Sequence, residues 1–320
     1  MSGFDPNDAP NPEMAAIMAR LAAEDGHLPD PMTLPAAEGR AQAEAGNRRW
    51  NRDLPPMETA TLTLPGGAGP RPARLFRPPS ARGAILYIHG GGWAFCSLDT
   101  HDRAMRCLAE ATGMAVIGVD YRLAPEHPYP AGLDDSVAAW RALPEVLAEH
   151  RLTGPAGISG DSAGANLALA LMLREQESGR RLPEFGLLFY GVYAVDHDTD
   201  SHRRFGPGGY GLTTAKMIRY RDWYAPDPAT WGEPAVSPLT APDAALRALP
   251  PLYLNAAGLD PLLGDTLALG ARLRALDRAD PVRVHRGVIH GFMQMTSALA
   301  EARTAFAEAG AWARRFNENA

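Results

Sequence analysis

Ile158-Ser-Gly-Asp-Ser-Ala-Gly-Ala-Asn166 sets a serine between two glycines where an apolar segment meets a helix-forming one. Upstream, residues 153–158 are short and end in an apolar side chain. Downstream, residues 163–173 carry Leu167, Leu169, Leu171, Met172 and Leu173 in a good helix-forming background. The stretch reads as strand, sharp turn, helix. Gly160, Ser162 and Gly164 meet the pattern G-x-S-x-G, which has a steric basis: a serine held on a strained turn needs neighbours with no side chain to crowd it. The alternative is a glycine-rich turn without chemistry.

Working outward, the chain alternates strand and helix. Residues 59–64 and 73–77 flank the turn Pro65-Gly-Gly-Ala-Gly-Pro70 and predict a hairpin. Apolar runs at 83–89 and 114–120 predict buried strands, with helices at 101–112 and 131–150. Further strands are expected at 185–193, 251–257 and 282–288, a helix after Pro261, and a last helix over 297–316. This rhythm predicts an α/β fold with a mainly parallel sheet and helices on both faces. The first ten residues read as loose. Met14, Ile17, Met18 and Leu21 then recur at i, i+3, i+4 and i+7 as one helical stripe, and a weaker helix covers 35–51. These two helices precede the first strand and either pack on the body or form a lid. Residues 194–249, rich in Gly, Pro, Trp and Tyr, break the rhythm and read as an insertion.

Composition excludes several classes. With 320 residues and 46% hydrophobic content the chain is long enough for one large domain plus a cap. Net charge is −6, and basic residues cluster no further than pairs such as Arg48-Arg49, Arg180-Arg181 and Arg203-Arg204, so no nucleic-acid footprint is present. Two cysteines, Cys96 and Cys107, read as free thiols in a reducing compartment. The first 30 residues lack the basic start and apolar run of a signal peptide. No run of 18 apolar residues follows, so the expectation is a cytoplasmic protein without membrane insertion. Lys216 is the only lysine, so no lysine stands three residues after Ser162 to support a Ser-Lys mechanism.

His89-Gly90-Gly91-Gly92-Trp93 follows directly on a buried strand. Three consecutive glycines there destabilise the fold unless backbone must come close to something else. They read as an oxyanion loop whose N–H groups, with that of Ala163, face an oxygen that gains charge. A phosphate loop fails on spacing, since neither G-x-G-x-x-G before a helix nor G-x-x-x-x-G-K-[ST] occurs. A serine also needs a base and an orienting carboxylate. His285 alternates within a strand and reads as structural, while His197 and His202 lie in the insertion. His290 stands just past a strand end, where a doubly wound sheet presents its working groups. Asp260 likewise follows a strand, with a helix N-cap as its structural alternative; Asp265 is the runner-up acid but falls inside the next helix.

With His89-Gly-Gly-Gly-Trp93, Asp120-Tyr-Arg-Leu-Ala-Pro-Glu126, Gly160-Asp-Ser-Ala-Gly164, Asp260-Pro-Leu262 and His290-Gly-Phe292 in this order, the chain resembles the hormone-sensitive-lipase-like family of α/β-hydrolases, the bacterial family IV carboxylesterases. The resemblance implies Ser162 as nucleophile, His290 as base and then acid, Asp260 as its orienting carboxylate, and Gly91, Gly92 and Ala163 as oxyanion donors. It also implies a catalytic domain over 56–193 and 250–320, capped by a helical segment 1–55 and the insertion 194–249. The expected reaction is hydrolysis of small, short-chain carboxylic esters through an acyl-enzyme, without a cofactor. An amidase or formamidase is the alternative enzyme; a ligand receptor of the same fold is disfavoured by the presence of His290. Trp93, Phe95, Leu263 and Phe292 are the expected pocket residues and favour an uncharged group. The resemblance also implies a homodimer, since family members often dimerise.

Two further readings follow. Arg122, between Asp120 and Glu126, is expected to pair with those acids, and Asp161 to organise its loop. Asp196, Asp198 and Asp200 have the spacing that opens an EF-hand loop, but Ser201 and Pro207 replace its glycine and glutamate, so a solvated polar loop is expected rather than a metal site. Where the family often has a proline after its next strand, this chain has Tyr190-Gly191-Val192.

Overall fold

The computed structural model describes residues 9–318, so most of the loose start expected for the first ten residues lies outside the described part. Eight strands form one sheet: β1 (Glu58–Leu64), β2 (Arg71–Arg77), β3 (Ala84–Ile88), β4 (Ala115–Val119), β5 (Ala156–Asp161), β6 (Gly186–Phe189), β7 (Leu252–Leu259) and β8 (Val282–Ile289). Their order is β1-β2-β4-β3-β5-β6-β7-β8. The β1–β2 hairpin and the β2–β4 pair are antiparallel, and every pair from β4 to β8 is parallel. The expected mainly parallel α/β sheet is therefore what forms.

Ten helices accompany it among the described residues: α1 (Pro12–Asp25), α2 (Ala36–Asn47), α3 (Asp102–Thr112), α4 (Ala131–Glu149), α5 (Ala163–Glu177), α6 (Asp200–Phe205), α7 (Thr214–Tyr224), α8 (Asp243–Arg247), α9 (Leu263–Ala275) and α10 (Ala300–Glu318). The pleat of each buried strand sends alternate side chains to opposite faces. Leu86 and Ile88 enter a layer with Leu133 of α4, Leu171 of α5 and Leu269 of α9. Ile85 and Tyr87 enter the other, with Leu108 of α3, Phe306 of α10, and Met14 and Ile17 of α1. Both faces are thus covered, which is why these strands read as unbroken apolar runs.

The structure departs from expectation in four places. β5 starts later than expected and runs on to Asp161: its ladder with β3 continues from Ala84–Ala156 to Ile88–Gly160, and this pairing overrides the polar composition of Ser159-Gly160-Asp161. β6 ends at Phe189 rather than 193, because Tyr190 takes φ 36°. The insertion is more regular than its composition implied, holding α6, α7 and α8.

The fourth departure concerns Arg122, which does not bind the two acids that flank it. Its guanidinium pairs with Asp135 at 2.9 Å, while Glu126 pairs with Arg40, and Asp120 accepts the Leu98 N–H at 3.1 Å. Asp135 is fully buried on α4, where an unpaired carboxylate would be costly, so Arg122 goes there, with Arg71 at 3.8 Å.

Candidate active site

Ser162 stands between the last residue of β5 and the first of α5 with φ 54° and ψ −120°, a backbone conformation that a non-glycine residue adopts only when its surroundings impose it. The imposing contacts are visible. A Cβ on Gly160 would lie 2.4 Å from the Gly164 carbonyl oxygen, and one on Gly164 would lie 2.0 Å from that of Ile88. Both glycines are therefore steric requirements of the turn. The Ser162 N–H donates to Phe189 O at 2.9 Å, tying the turn to β6.

Asp260 and His290 follow the last residues of β7 and β8, at the same carboxyl edge of the sheet. His290 Nδ1–H donates to Asp260 Oδ2 at 2.7 Å, which leaves Nε2 to accept the Ser162 hydroxyl proton at 2.9 Å. Asp260 is fully buried, and its other oxygen accepts the Leu262 N–H at 2.9 Å. The helix-cap alternative thus accounts for one oxygen only. Burial pulls the His290 imidazole down, but the charge of Asp260 and the hydrogen bond to it outweigh burial and hold its pKa above the ordinary value. Asp265 is engaged elsewhere: it accepts the N–H groups of Tyr193 and Ala194, and burial pushes its carboxyl up to about 7. His285 bonds Glu301 at 2.7 Å, as a structural strand residue should.

The glycine loop reaches the serine from β3. Gly91 and Gly92 take φ 117° and 59°. Among the described residues, the N–H groups of Gly91, Gly92 and Ala163 make no hydrogen bond, so all three are available to a ligand oxygen. Asp161 joins this loop to the serine turn. It accepts the Gly90 N–H at 2.9 Å and the Tyr87 hydroxyl at 2.7 Å, with His101 Nε2 at 3.3 Å. Burial alone would raise its pKa, yet His101 and these donors win and hold it to about 2.

A cavity of about 240 Å³ opens over Ser162, His290 and the loop. Of the four expected pocket residues only Trp93 lines it. Phe95 packs on Tyr220 and Trp223, Leu263 lies in the core, and Phe292 sits fully buried against Tyr190 and His285. Lying next to a motif in sequence does not fix where a side chain points. The walls come instead from Asn47 and Trp50, from Val192, from Leu212, Met217 and Tyr220 around α7, and from Gln294 and Met295. The sequence assigns the N-terminal helices and the insertion to a cap and singles out the Val192 segment, but it does not name the other wall residues, although Gln294 stands only four residues after His290. Tyr190, in the Tyr190-Gly191-Val192 segment where the family often has a proline, places its ring 5.1 Å from that of His290. The solvated loop expected over 196–202 holds only in part: residues 200–202 open α6 and Ser201 and His202 are buried, while Arg203 pairs with Asp198 and Asp200 and His202 bonds Thr214 at 2.9 Å.

Comparison with known proteins agrees with this architecture. A family model described as the alpha/beta hydrolase fold matches residues 85–294. An acetyl esterase of Salmonella paratyphi A is 35% identical over 250 residues, 77% of this chain and 76% of that protein. Among solved structures, an α/β-hydrolase enzyme from the metagenome of Lake Arreo superposes with a TM-score of 0.90 at 31% identity, covering 96% of this chain and 98% of that one. A hyperthermophilic esterase from Pyrobaculum calidifontis does so with a TM-score of 0.89 at 28% identity and the same coverage. The chain therefore belongs to the hormone-sensitive-lipase-like, family IV carboxylesterases, ester-hydrolysing enzymes of the α/β-hydrolase fold.

Proposed function

We propose that Ser162, His290 and Asp260 carry this hydrolysis. The observation that supports it most is the unbroken relay from Ser162 Oγ through both His290 nitrogens to a buried carboxylate. Ser162 attacks the ester carbonyl as Nε2 takes its proton, and the N–H groups of Gly91, Gly92 and Ala163 hold the oxyanion. His290 then protonates the leaving alcohol, and water repeats the sequence on the acyl-enzyme. The neutral histidine needs no cofactor to do this.

We infer small substrates with short acyl chains, because the cavity measures about 240 Å³ and the apolar side chains of Trp93, Leu212, Met217 and Tyr220 line it. Residues 1–55 and 194–249 act as the cap on a catalytic domain of 56–193 and 250–320, since Trp50 and Tyr220 both face the cavity. Two free cysteines favour the cytoplasm, and the outer edge at β8, where Val284 is 40% exposed and, among the described residues, only Gly287 O is taken, by Asn11, would accept a second copy. No helix among the described residues is long and apolar enough to cross a membrane.

The test is Ser162→Ala. It should abolish turnover of p-nitrophenyl acetate and labelling by an organophosphate. Survival of either would remove Ser162 from the role of nucleophile. In the wild-type enzyme, turnover of p-nitrophenyl esters should fall as the acyl chain lengthens.

A further inference from the structure

Most of the cavity wall is apolar, but two side-chain amides, those of Asn47 and Gln294, also line it. Gln294 is only 8% exposed, and its amide makes no hydrogen bond among the described residues. Oε1 is buried without a donor, and the NH₂ group donates to nothing among the described residues. Buried amides in folded proteins are almost always satisfied, and one left bare at this depth destabilises the fold until a partner arrives. Its backbone is fixed: Gln294 N donates to Gly291 O at 3.1 Å within the 3-10 turn Phe292–Met295. Asn47 spends its Nδ2 on Ala43 O at 3.0 Å and keeps Oδ1 unused among the described residues.

In the reaction proposed above, the leaving alcohol takes its proton from His290 Nε2, so the alcohol portion lies on the side of the cavity where His290 stands. Gln294 belongs to the turn that follows His290. An amide offers both a donor and an acceptor, and a hydroxyl can satisfy either, whereas a methyl group of the same size satisfies neither. No arginine or lysine lines the cavity among the described residues, so an anionic alcohol would find no counter-charge.

We propose that Gln294, aided by Asn47, is a specificity-determining residue that hydrogen-bonds a hydroxyl on the alcohol portion, so that the enzyme favours esters of hydroxylated alcohols such as glycols, glycerol or sugars over esters of plain alkanols. This rests on the esterase reading with Ser162 as nucleophile. The experiment compares kcat/KM for 2-hydroxyethyl acetate and propyl acetate, which share an acyl group and differ by hydroxyl against methyl, with p-nitrophenyl acetate as reference. The wild-type enzyme should favour the hydroxylated ester about tenfold or more, and Gln294→Leu should reduce that ratio about tenfold, with a smaller fall for Asn47→Ala. Should Gln294→Leu fail to fold, Gln294→Met keeps the chain length and serves the same comparison. Equal kcat/KM on the two alkyl esters in the wild type, or a ratio unchanged in the Gln294 variants, would overturn the inference. Cleavage of p-nitrophenyl acetate but of neither alkyl ester would also overturn it while leaving the esterase reading intact. Failure on all three would remove both.

Discussion

Asp260 and Asp265 are two buried carboxylates five positions apart, and the chemistry depends on which one meets His290. Asp260 does, at 2.7 Å; Asp265 instead accepts two backbone N–H groups of the segment after β6. Replacing Asp260 by Asn keeps the shape but takes away the charge that fixes the imidazole tautomer. Asp260→Asn should lower kcat about 10³- to 10⁴-fold, and Asp265→Asn much less. Steady-state kinetics on p-nitrophenyl acetate decide this, and the reverse order would exchange the two acids. The same change has a pH signature. In the role proposed for it, His290 is a base only when neutral, so kcat/KM of the wild type should fall as pH drops through the raised imidazole pKa. Without Asp260 the imidazole loses the partner that raises it, and the acid limb of the residual activity should move to lower pH. Asp260 was legible as the stronger candidate because it directly follows a strand, whereas Asp265 fell inside the next helix; the hydrogen bond of Asp260 to His290 agrees with that order.

Among the elements, the β5–Ser162–α5 unit is the most demanding. Gly164→Ala would push a methyl group to 2.0 Å from Ile88 O, backbone that cannot move without shifting β3. We expect a loss of about 3 kcal/mol in urea unfolding. Gly46→Ala is the control: on α2 its Cβ would meet only Arg49, at 3.5 Å, and it should be neutral or stabilising. A tolerated Gly164→Ala would show that the turn is less constrained than its contacts indicate. Outside the insertion, whose helices α6, α7 and α8 were not legible, the existence and order of the elements were readable from apolar runs and turn residues. Boundaries were not, as at β5 and β6, because a strand ends where its neighbour stops pairing or where one residue turns to positive φ.

For the molecule as a whole, the question of whether the N-terminal helices pack or cover the site has a divided answer. α1 is packed: Met14 and Ile17 enter the core, Asn11 N donates to Gly287 O at 2.9 Å, and Ala300 N donates to Glu13 at 2.6 Å. α2 and the following Trp50 wall the cavity, and Lys216 of α7 meets Asp30 at 3.3 Å across the two cap pieces. A chain of residues 56–320 would retain Ser162, Asp260 and His290 but lose one cavity wall and uncover apolar core. Lower kcat/KM on p-nitrophenyl acetate and stronger binding of a hydrophobic dye are expected; unchanged turnover would mean the N-terminal segment takes no part in the site.

The sequence by itself determined the sheet class and the chemical groups, because strand periodicity, the sterics of a strained turn and the placing of polar residues at strand ends are local rules. It did not determine the pocket. Beyond Trp93, the wall residues Asn47, Trp50, Tyr220 and Gln294 come from segments far apart in the chain, and only tertiary packing brings them around one cavity. Phe95, Leu263 and Phe292 lie beside the motifs and yet turn into the core, since the direction of a side chain follows backbone conformation and neighbours rather than distance along the sequence.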